Sequence, residues 1–249
     1  MAKVKEIYEF LNEKFPIELA CDFDNPGLLI GDPCAEVKKA LIVLDCDICA
    51  VKNAVLNGCE LIITHHPVIF GGLKSILAGS VWYELIKNGI SVISMHTNLD
   101  VGSGGVNDCL CKAMGLNDVS SVTASNGFML RMGTLSPISA DGLADRIKKS
   151  LGGCVKYTDC GKRIEKVLVC SGSGGEFSDD ALRLNCDALI TADVKHNVFI
   201  DSSNAGLSVF DAGHFNTEDT VIEPLKDMLA EHFTDTEFIY SHHSEIKYR

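Results

Sequence analysis

The sequence predicts an α/β fold built from two duplicated halves, and three observations predict it. Runs rich in Val and Ile alternate with stretches of helical periodicity, the signature of parallel or mixed sheets covered by helices. Two of these runs recur at one constant offset of 127 residues: Lys39-Ala40-Leu41-Ile42-Val43 matches Lys166-Val167-Leu168-Val169-Cys170, and Cys59-Glu60-Leu61-Ile62-Ile63-Thr64 matches Cys186-Asp187-Ala188-Leu189-Ile190-Thr191. A third block, Gly89 to His96, resembles Gly206 to His214 after a shorter connection. Each half thus reads strand, helix, strand, variable connection, strand, and closes on a histidine. Unrelated α/β units share strand composition, but matching Cys-acidic starts and Thr ends at constant spacing favour duplication over that background.

Taken in order, Leu61 to Thr64 is an uninterrupted apolar run of the kind that forms a fully buried strand, with His65, His66 and Pro67 directly after it. The pair therefore stands at a strand's C-terminal end, where open α/β sheets keep their ligand crevice. In extended backbone the two side chains point to opposite sides. The polar, turn-rich stretch from Ser120 to Gly127 sets a boundary near residue 123, giving halves 1–123 and 124–249. Thr217 to Phe233 alternates acidic and apolar residues at helical spacing, and Glu237 to Tyr240 reads as a short last strand. This C-terminal segment is a candidate to pack back on the first half.

With 249 residues, 46% of them hydrophobic, the chain has ample material for a packed core. Its net charge of −12 argues against nucleic acid or an anionic membrane surface as a partner. The N-terminus lacks the apolar core of a signal peptide, and no run approaches the roughly 18 apolar residues of a membrane span. The expected location is cytoplasmic. Eleven cysteines, an odd count in a chain of this size, read as buried reduced thiols rather than disulfides. Cys46 and Cys49 have redox spacing and Cys109 and Cys111 form another close pair, but neither has the second Cys pair or nearby His that a zinc site needs.

Residues of metal-ligand type recur at the strand ends. Neutral imidazole is the commonest metal ligand, so His65 and His66 can serve two neighbouring ions or one ion and its substrate. His214 and Glu218 are four apart, on one helix face, and His96 and Asp100 repeat that spacing in the first half. A carboxylate can bridge two metals, which makes Asp100 the candidate bridge. His96 is a candidate ligand or a group that hydrogen-bonds a ligand or the substrate, and the second role is the favoured one.

Four segments together carry a resemblance: Asp24-Asn25-Pro26-Gly27-Leu28, Ile63-Thr64-His65-His66-Pro67-Val68-Ile69-Phe70, His96-Thr97-Asn98-Leu99-Asp100 and Gly213-His214-Phe215-Asn216-Thr217-Glu218. In this order, over nearly the whole chain, they resemble the successive motifs of the family of NGG-interacting-factor-three-like proteins, often labelled GTP cyclohydrolase I type 2. The resemblance implies two intertwined α/β halves with mixed sheets flanked by helices and a dinuclear metal site in the cleft between them. It also implies a toroidal homohexamer, and it places the metal ligands on His65, His66, Asp100, His214 and Glu218. The chain departs from the family's Gly-Glu-x-Lys-His-His pattern at Ala192-Asp193-Val194-Lys195-His196-Asn197, which keeps a carboxylate on a shorter arm and lacks the second histidine. The C-terminal pair His242-His243 lies outside the pattern and reads as a solvated surface pair.

Around such a site, Lys195 and His196 are candidates for charge stabilisation and proton shuttling on substrate, with Asp193 orienting one of them. Ser171 to Gly175 follows a strand and precedes a helix, so its backbone N–H groups are a candidate anion nest, although it lacks the Lys-Ser/Thr ending of a P-loop. Asp24 and Asn25 belong to a turn that is a candidate to line the pocket. The expected activity is hydrolysis of a small-molecule substrate, a purine nucleotide by the resemblance, with two divalent ions, zinc, iron or manganese, activating water. Phosphoester hydrolysis is the rival within enzymes, a non-catalytic metal-delivery or scaffold protein the rival outside them, and thiol chemistry at Cys46 and Cys49 a third possibility.

Overall fold

The computed structural model describes residues 1–247, and its contacts divide the chain into two units: Met1–Ser103 with Ile222–Ile246, and Gly104–Val221. In the first unit the chain runs β1 (Ala2–Lys3), α1 (Val4–Lys14), β2 (Gly27–Ile30), β3 (Glu36–Val37), β4 (Lys39–Val43), α2 (Ile48–Asn57), β5 (Leu61–Thr64), α3 (Val81–Lys87), β6 (Ser91–Ser94) and α4 (Thr97–Val101). The second unit follows with α5 (Val106–Met114), β7 (Asn117–Thr123), β8 (Met129–Ile138), α6 (Ala140–Leu151), β9 (Lys156–Tyr157), β10 (Ile164–Ser173), α7 (Ser178–Arg183), β11 (Ala188–Ala192), α8 (His196–Asn204), β12 (Ser208–Asp211) and α9 (His214–Glu218). Finally α10 (Ile222–His232) and β13 (Glu237–Tyr240) return to the first unit.

The first unit's main sheet has the order β13-β4-β5-β6-β2, parallel except for the edge strand β2, while β1 and β3 form a small antiparallel pair. Parallel strands covered on both faces need apolar residues at every position, and β5 and β6 are buried along their whole length. The helix after β4 starts where Asp47 accepts a hydrogen bond from the Ala50 N–H at 2.7 Å, and stops at Gly58, whose left-handed φ of 67° ends the turn. The C-terminal segment packs through Ile222, Leu225 and Leu229 of α10, and β13 pairs in parallel with β4, Phe238 opposite Ala40.

In the second unit the order is β7-β8-β10-β11-β12-β9, with β10, β11 and β12 parallel and the rest antiparallel. Successive residues of β10 feed opposite faces: Val167 and Val169 join a core with Leu143 and Ile147 of α6, whereas Leu168 and Cys170 join another with Phe177 and Leu189.

Three expectations need correction. The polar stretch at 120–127, offered as a boundary, is the end of β7 and the turn into β8, a hairpin inside the second unit, and the division falls at residue 103 instead. Turn-rich composition marks hairpin tips as well as linkers. The single helix expected over 217–233 is three pieces, α9, a 3-10 turn at Asp219–Val221, and α10. Restarting at Ile222 places Pro224 in the first turn, where its missing N–H breaks no hydrogen bond. The third repeat block is also out of register by one residue. The Met95 N–H donates to the Thr64 carbonyl and the Ala212 N–H to that of Thr191, so His96 corresponds to Gly213 and not to His214.

All eleven cysteines are free thiols. Burial, with Asp47 and Asp45 nearby, pushes the Cys46 thiol up to about 12, which removes the thiolate that redox chemistry with Cys49 requires.

Candidate metal centre

In the first unit the reactive groups gather at the C-terminal ends of β5 and β6. The chain bends at His65 and His66 instead of staying extended, and their rings lie with centroids 4.9 Å apart rather than diverging. His96, at the N-terminal boundary of α4, brings its ring to 5.2 Å from that of His65 and 5.5 Å from that of His66, and one ligand nitrogen from each ring lies within 4.8 Å of the others. One turn into α4, the buried Asp100 places Oδ1 3.6 Å from His65 Nε2.

Each ring is anchored through the same atom. His65 Nδ1 lies 2.9 Å from the Met95 carbonyl oxygen, which can only accept, so Nδ1 carries the hydrogen and the lone pair of the neutral ring sits on Nε2. His66 Nδ1 donates to Asp45 Oδ1 at 2.7 Å, and His96 Nδ1 to Asp24 Oδ1 at 2.7 Å. The other oxygen of Asp24 accepts from the Thr97 N–H at 3.0 Å and hydroxyl at 2.5 Å. Burial works to raise the pKa of Asp24, but the hydrogen bonds from His96 and Thr97 outweigh it and hold the carboxyl at about 2. Asn25 donates from Nδ2 to the Ile69 carbonyl at 2.6 Å, tying the 24–27 turn to the segment that follows the paired histidines.

The second unit repeats the anchoring with different residues. His214 opens α9, its Nδ1 2.6 Å from Asp193 Oδ2 and its Nε2 3.1 Å from Oε1 of the buried Glu218. The Glu218 hydrogen bond is the main force raising the His214 pKa to about 9; burial opposes it and Asp193 adds to it. Asp193 reaches this ring from a left-handed backbone, φ 50°, a conformation that costs most residues energy and that Asp tolerates best. Asp211 braces both loops, accepting from the Gly213 N–H at 3.2 Å and from the Val194 N–H at 3.3 Å.

Gly172 completes this half. Its φ is +58°, and a Cβ built on it would lie 2.2 Å from Glu218 Oε1 and 3.3 Å from His214 Nε2, so the backbone makes room for the pair. The expected anion nest at Ser171 to Gly175 is therefore corrected. Ser171 and Gly172 belong to β10, and their N–H groups donate to Asn107 Oδ1 and Thr217 Oγ1.

Nitrogen and carboxylate oxygen donors, with each imidazole oriented by an oxygen on its other nitrogen, form groups that could hold a metal ion. The five expected ligands thus fall in two sets, His65, His66 and Asp100 in one unit and His214 and Glu218 in the other. Lys195 and His196 stand exposed at the start of α8, and the Asp193 carboxylate expected to orient one of them is engaged with His214. Asp45, Asp211 and the Met95 carbonyl were not singled out from the sequence. Asp45 and Asp211 left a signal, an acidic residue directly after an apolar run, and the carbonyl left none.

The sequence profile of a family described as Duf34/NIF3 (NGG1p interacting factor 3) matches residues 2–246. A Clostridium perfringens protein named "GTP cyclohydrolase 1 type 2 homolog" is 35% identical over 251 residues, covering 96% of each chain. A crystal structure of a Staphylococcus aureus hypothetical protein superposes with a TM-score of 0.92 at 27% identity, covering 99% of both chains. A Bacillus cereus protein related to NIF3 shares the fold at 20% identity, with a TM-score of 0.88 over 100% of this chain and 99% of that one.

Proposed function

From the premise that this chain belongs to the Duf34/NIF3 family, we propose that it is a dinuclear metal-dependent hydrolase with His65, His66, Asp100, His214 and Glu218 as ligands. The observation that carries this reading is the shared anchoring of His65, His66 and His214, each with Nδ1 held by a protein oxygen so that Nε2 is the nitrogen presented to an ion, with His96 anchored in the same way beside them. Relatives carry the name "GTP cyclohydrolase 1 type 2 homolog", and hydrolytic opening of the guanine imidazole ring of a purine nucleotide is the reaction that name suggests.

A divalent ion held by these groups supplies a nucleophile at neutral pH by lowering the pKa of water from ~15.7 to ~7. The chain's own residues do the rest. His214 gives up its ring proton before Nε2 can serve as a ligand. Asp45 and the Met95 carbonyl keep the paired rings in one tautomer. His96, fixed by Asp24, hydrogen-bonds the substrate beside the paired histidines. Lys195 offsets negative charge on the substrate, and His196 moves a proton.

The test is turnover of GTP and of a panel of phosphoesters by metal-loaded protein beside Asp100→Ala and His214→Ala. Ring opening of GTP by the parent alone supports the proposal. Equal rates in all three remove it, and cleavage of phosphoesters alone replaces it with the phosphoesterase reading. Metal content that falls in the variants while no substrate is consumed identifies a metal-delivery protein. The same reading includes a cytoplasmic location and a toroidal homohexamer, the latter tested by native mass spectrometry against a mass six times that of the chain. No helix among the described residues is long and apolar enough to cross a membrane.

A further inference from the structure

His242 and His243 are exposed, as the surface-pair expectation has it; both also face carboxylates, and those around His243 form a second group of ligand-type side chains. We propose that Asp47, Cys49, His243 and Glu245 form a separate site for a zinc-class divalent ion, which fastens the C-terminal segment to the N-terminus of α2.

Two short segments of the first unit supply the donors as matching i, i+2 pairs. Asp47 and Cys49 flank the first residue of α2; His243 and Glu245 lie in the segment that continues from β13. That segment is held in place before it reaches the cluster: the Ser241 N–H donates to the Ile42 carbonyl at 3.1 Å, and His242 Nε2 lies 3.2 Å from Glu223 Oε1. Asp47 uses Oδ1 to cap the helix, and its Oδ2 lies 3.8 Å from His243 Nε2. Glu245 Oε1 lies 3.0 Å from His243 Nε2 and 3.2 Å from Cys49 Sγ. One donor atom from each of the four residues lies within 4.8 Å of all the others.

These separations match the ion proposed. Tetrahedral zinc with bonds of ~2.0–2.3 Å sets its donors roughly 3.5 Å apart, within the spread of the three distances. Thiolate, imidazole and two carboxylates are a borderline donor set that suits zinc and excludes the all-oxygen chemistry of calcium and magnesium. Two carboxylates and a thiol this close also repel once the thiol ionises, and a cation among them removes that repulsion. On binding, the ion takes the place of the Cys49 thiol hydrogen, which leaves to solvent as a proton while the sulfur bonds the metal. None of these residues is among the five ligands proposed above, and the inference stands without the hydrolase reading.

The test is titration of metal-stripped full-length protein with cobalt(II) under a non-thiol reductant, following the near-ultraviolet band that only a thiolate–cobalt bond produces. The band should appear in the parent and in His65→Ala, disappear in Cys49→Ser, and need about 10-fold or more cobalt in Glu245→Gln. Thermal melting of the metal-free variants, expected to match the parent, separates ligand loss from misfolding. Absence of the band in the parent, or its survival in Cys49→Ser, overturns the proposal.

Discussion

In the first unit Ala40 pairs with Leu61 and Leu61 with Ser91; in the second, Val167 pairs with Ala188 and Ala188 with Ser208. The first two strands of each set keep the offset of 127 residues down to their hydrogen bonds. Glu60 Oε2 accepts from the N–H groups of Lys38 and Lys39, and Asp187 Oδ2 from those of Glu165 and Lys166. Gly58 and Asn185, left-handed at φ 67° and 53°, occupy equivalent turns. The reactive groups do not follow this symmetry. His65 and His66 correspond to Ala192 and Asp193, and the five residues of α4, with Asp100 fourth, correspond to the five of α9, with His214 first and Glu218 last. The two copies thus share the frame and the strand-end positions, while each fills them with its own division between residues proposed to bind an ion and residues that orient them. In the first copy the histidine pair follows the strand; in the second that place holds the carboxylate that orients a histidine from the helix.

The largest effect should come from removing a binder from either copy. Asp100→Ala and Glu218→Gln should each lower metal affinity by more than the ~10–100-fold typical of outer partners, measured by competition with a chromogenic chelator. If one variant has no effect, the residue it replaces is not a ligand. Loss of an orienter should be milder. Asp193→Ala and Asp45→Ala should each cost ~10–100-fold in metal affinity with little change in melting temperature, and a gap between the two would show that the copies hold their rings unequally.

Gly172→Ala sharpens the contrast on the stability side. The left-handed backbone alone should cost about 1–2 kcal/mol in denaturant unfolding, and displacement of Glu218 should weaken metal binding as well; an unchanged midpoint would show that the β10 backbone relaxes. Asp24 has no partner histidine to copy in the second unit, since Gly213 stands where His96 does. Its folded pKa of about 2 lies below the ~3.9 of an unfolded aspartate, so its stabilisation is present in full above about pH 4 and is lost as pH falls toward 2. With its side chain fully buried, that is about 2–3 kcal/mol, and Asp24→Asn should flatten the acid limb of the pH–stability profile accordingly. The smallest effects should come from the strand-start carboxylates, where Glu60→Gln and Asp187→Asn should each cost ~1 kcal/mol and by similar amounts.

Much of the frame was legible because buried parallel strands require unbroken apolar runs, and duplicated ones display them twice. Leu61 to Thr64, Ala188 to Thr191 and the last strand, Glu237–Tyr240, fall where their composition puts them. The ligand-type residues were legible as motifs at strand ends. The orienting groups were not, because a hydrogen bond such as that of Asp24 to His96 joins residues far apart in sequence, and the Met95 carbonyl belongs to the backbone and leaves no side-chain signal at all. The bend at His65 and His66 was equally hidden: the pattern reports a strand and not where it stops being straight.

Anomalous diffraction from crystals of the metal-loaded protein, with data collected at the edge of the bound element, tests the central claim most directly. Two ions per chain, bonded through Nε2 of His65, His66 and His214 while each Nδ1 keeps its oxygen partner, is the expected result. Ions bonded through Nδ1, with the Met95, Asp45 and Asp193 contacts broken, or metal found nowhere near these rings, would contradict it.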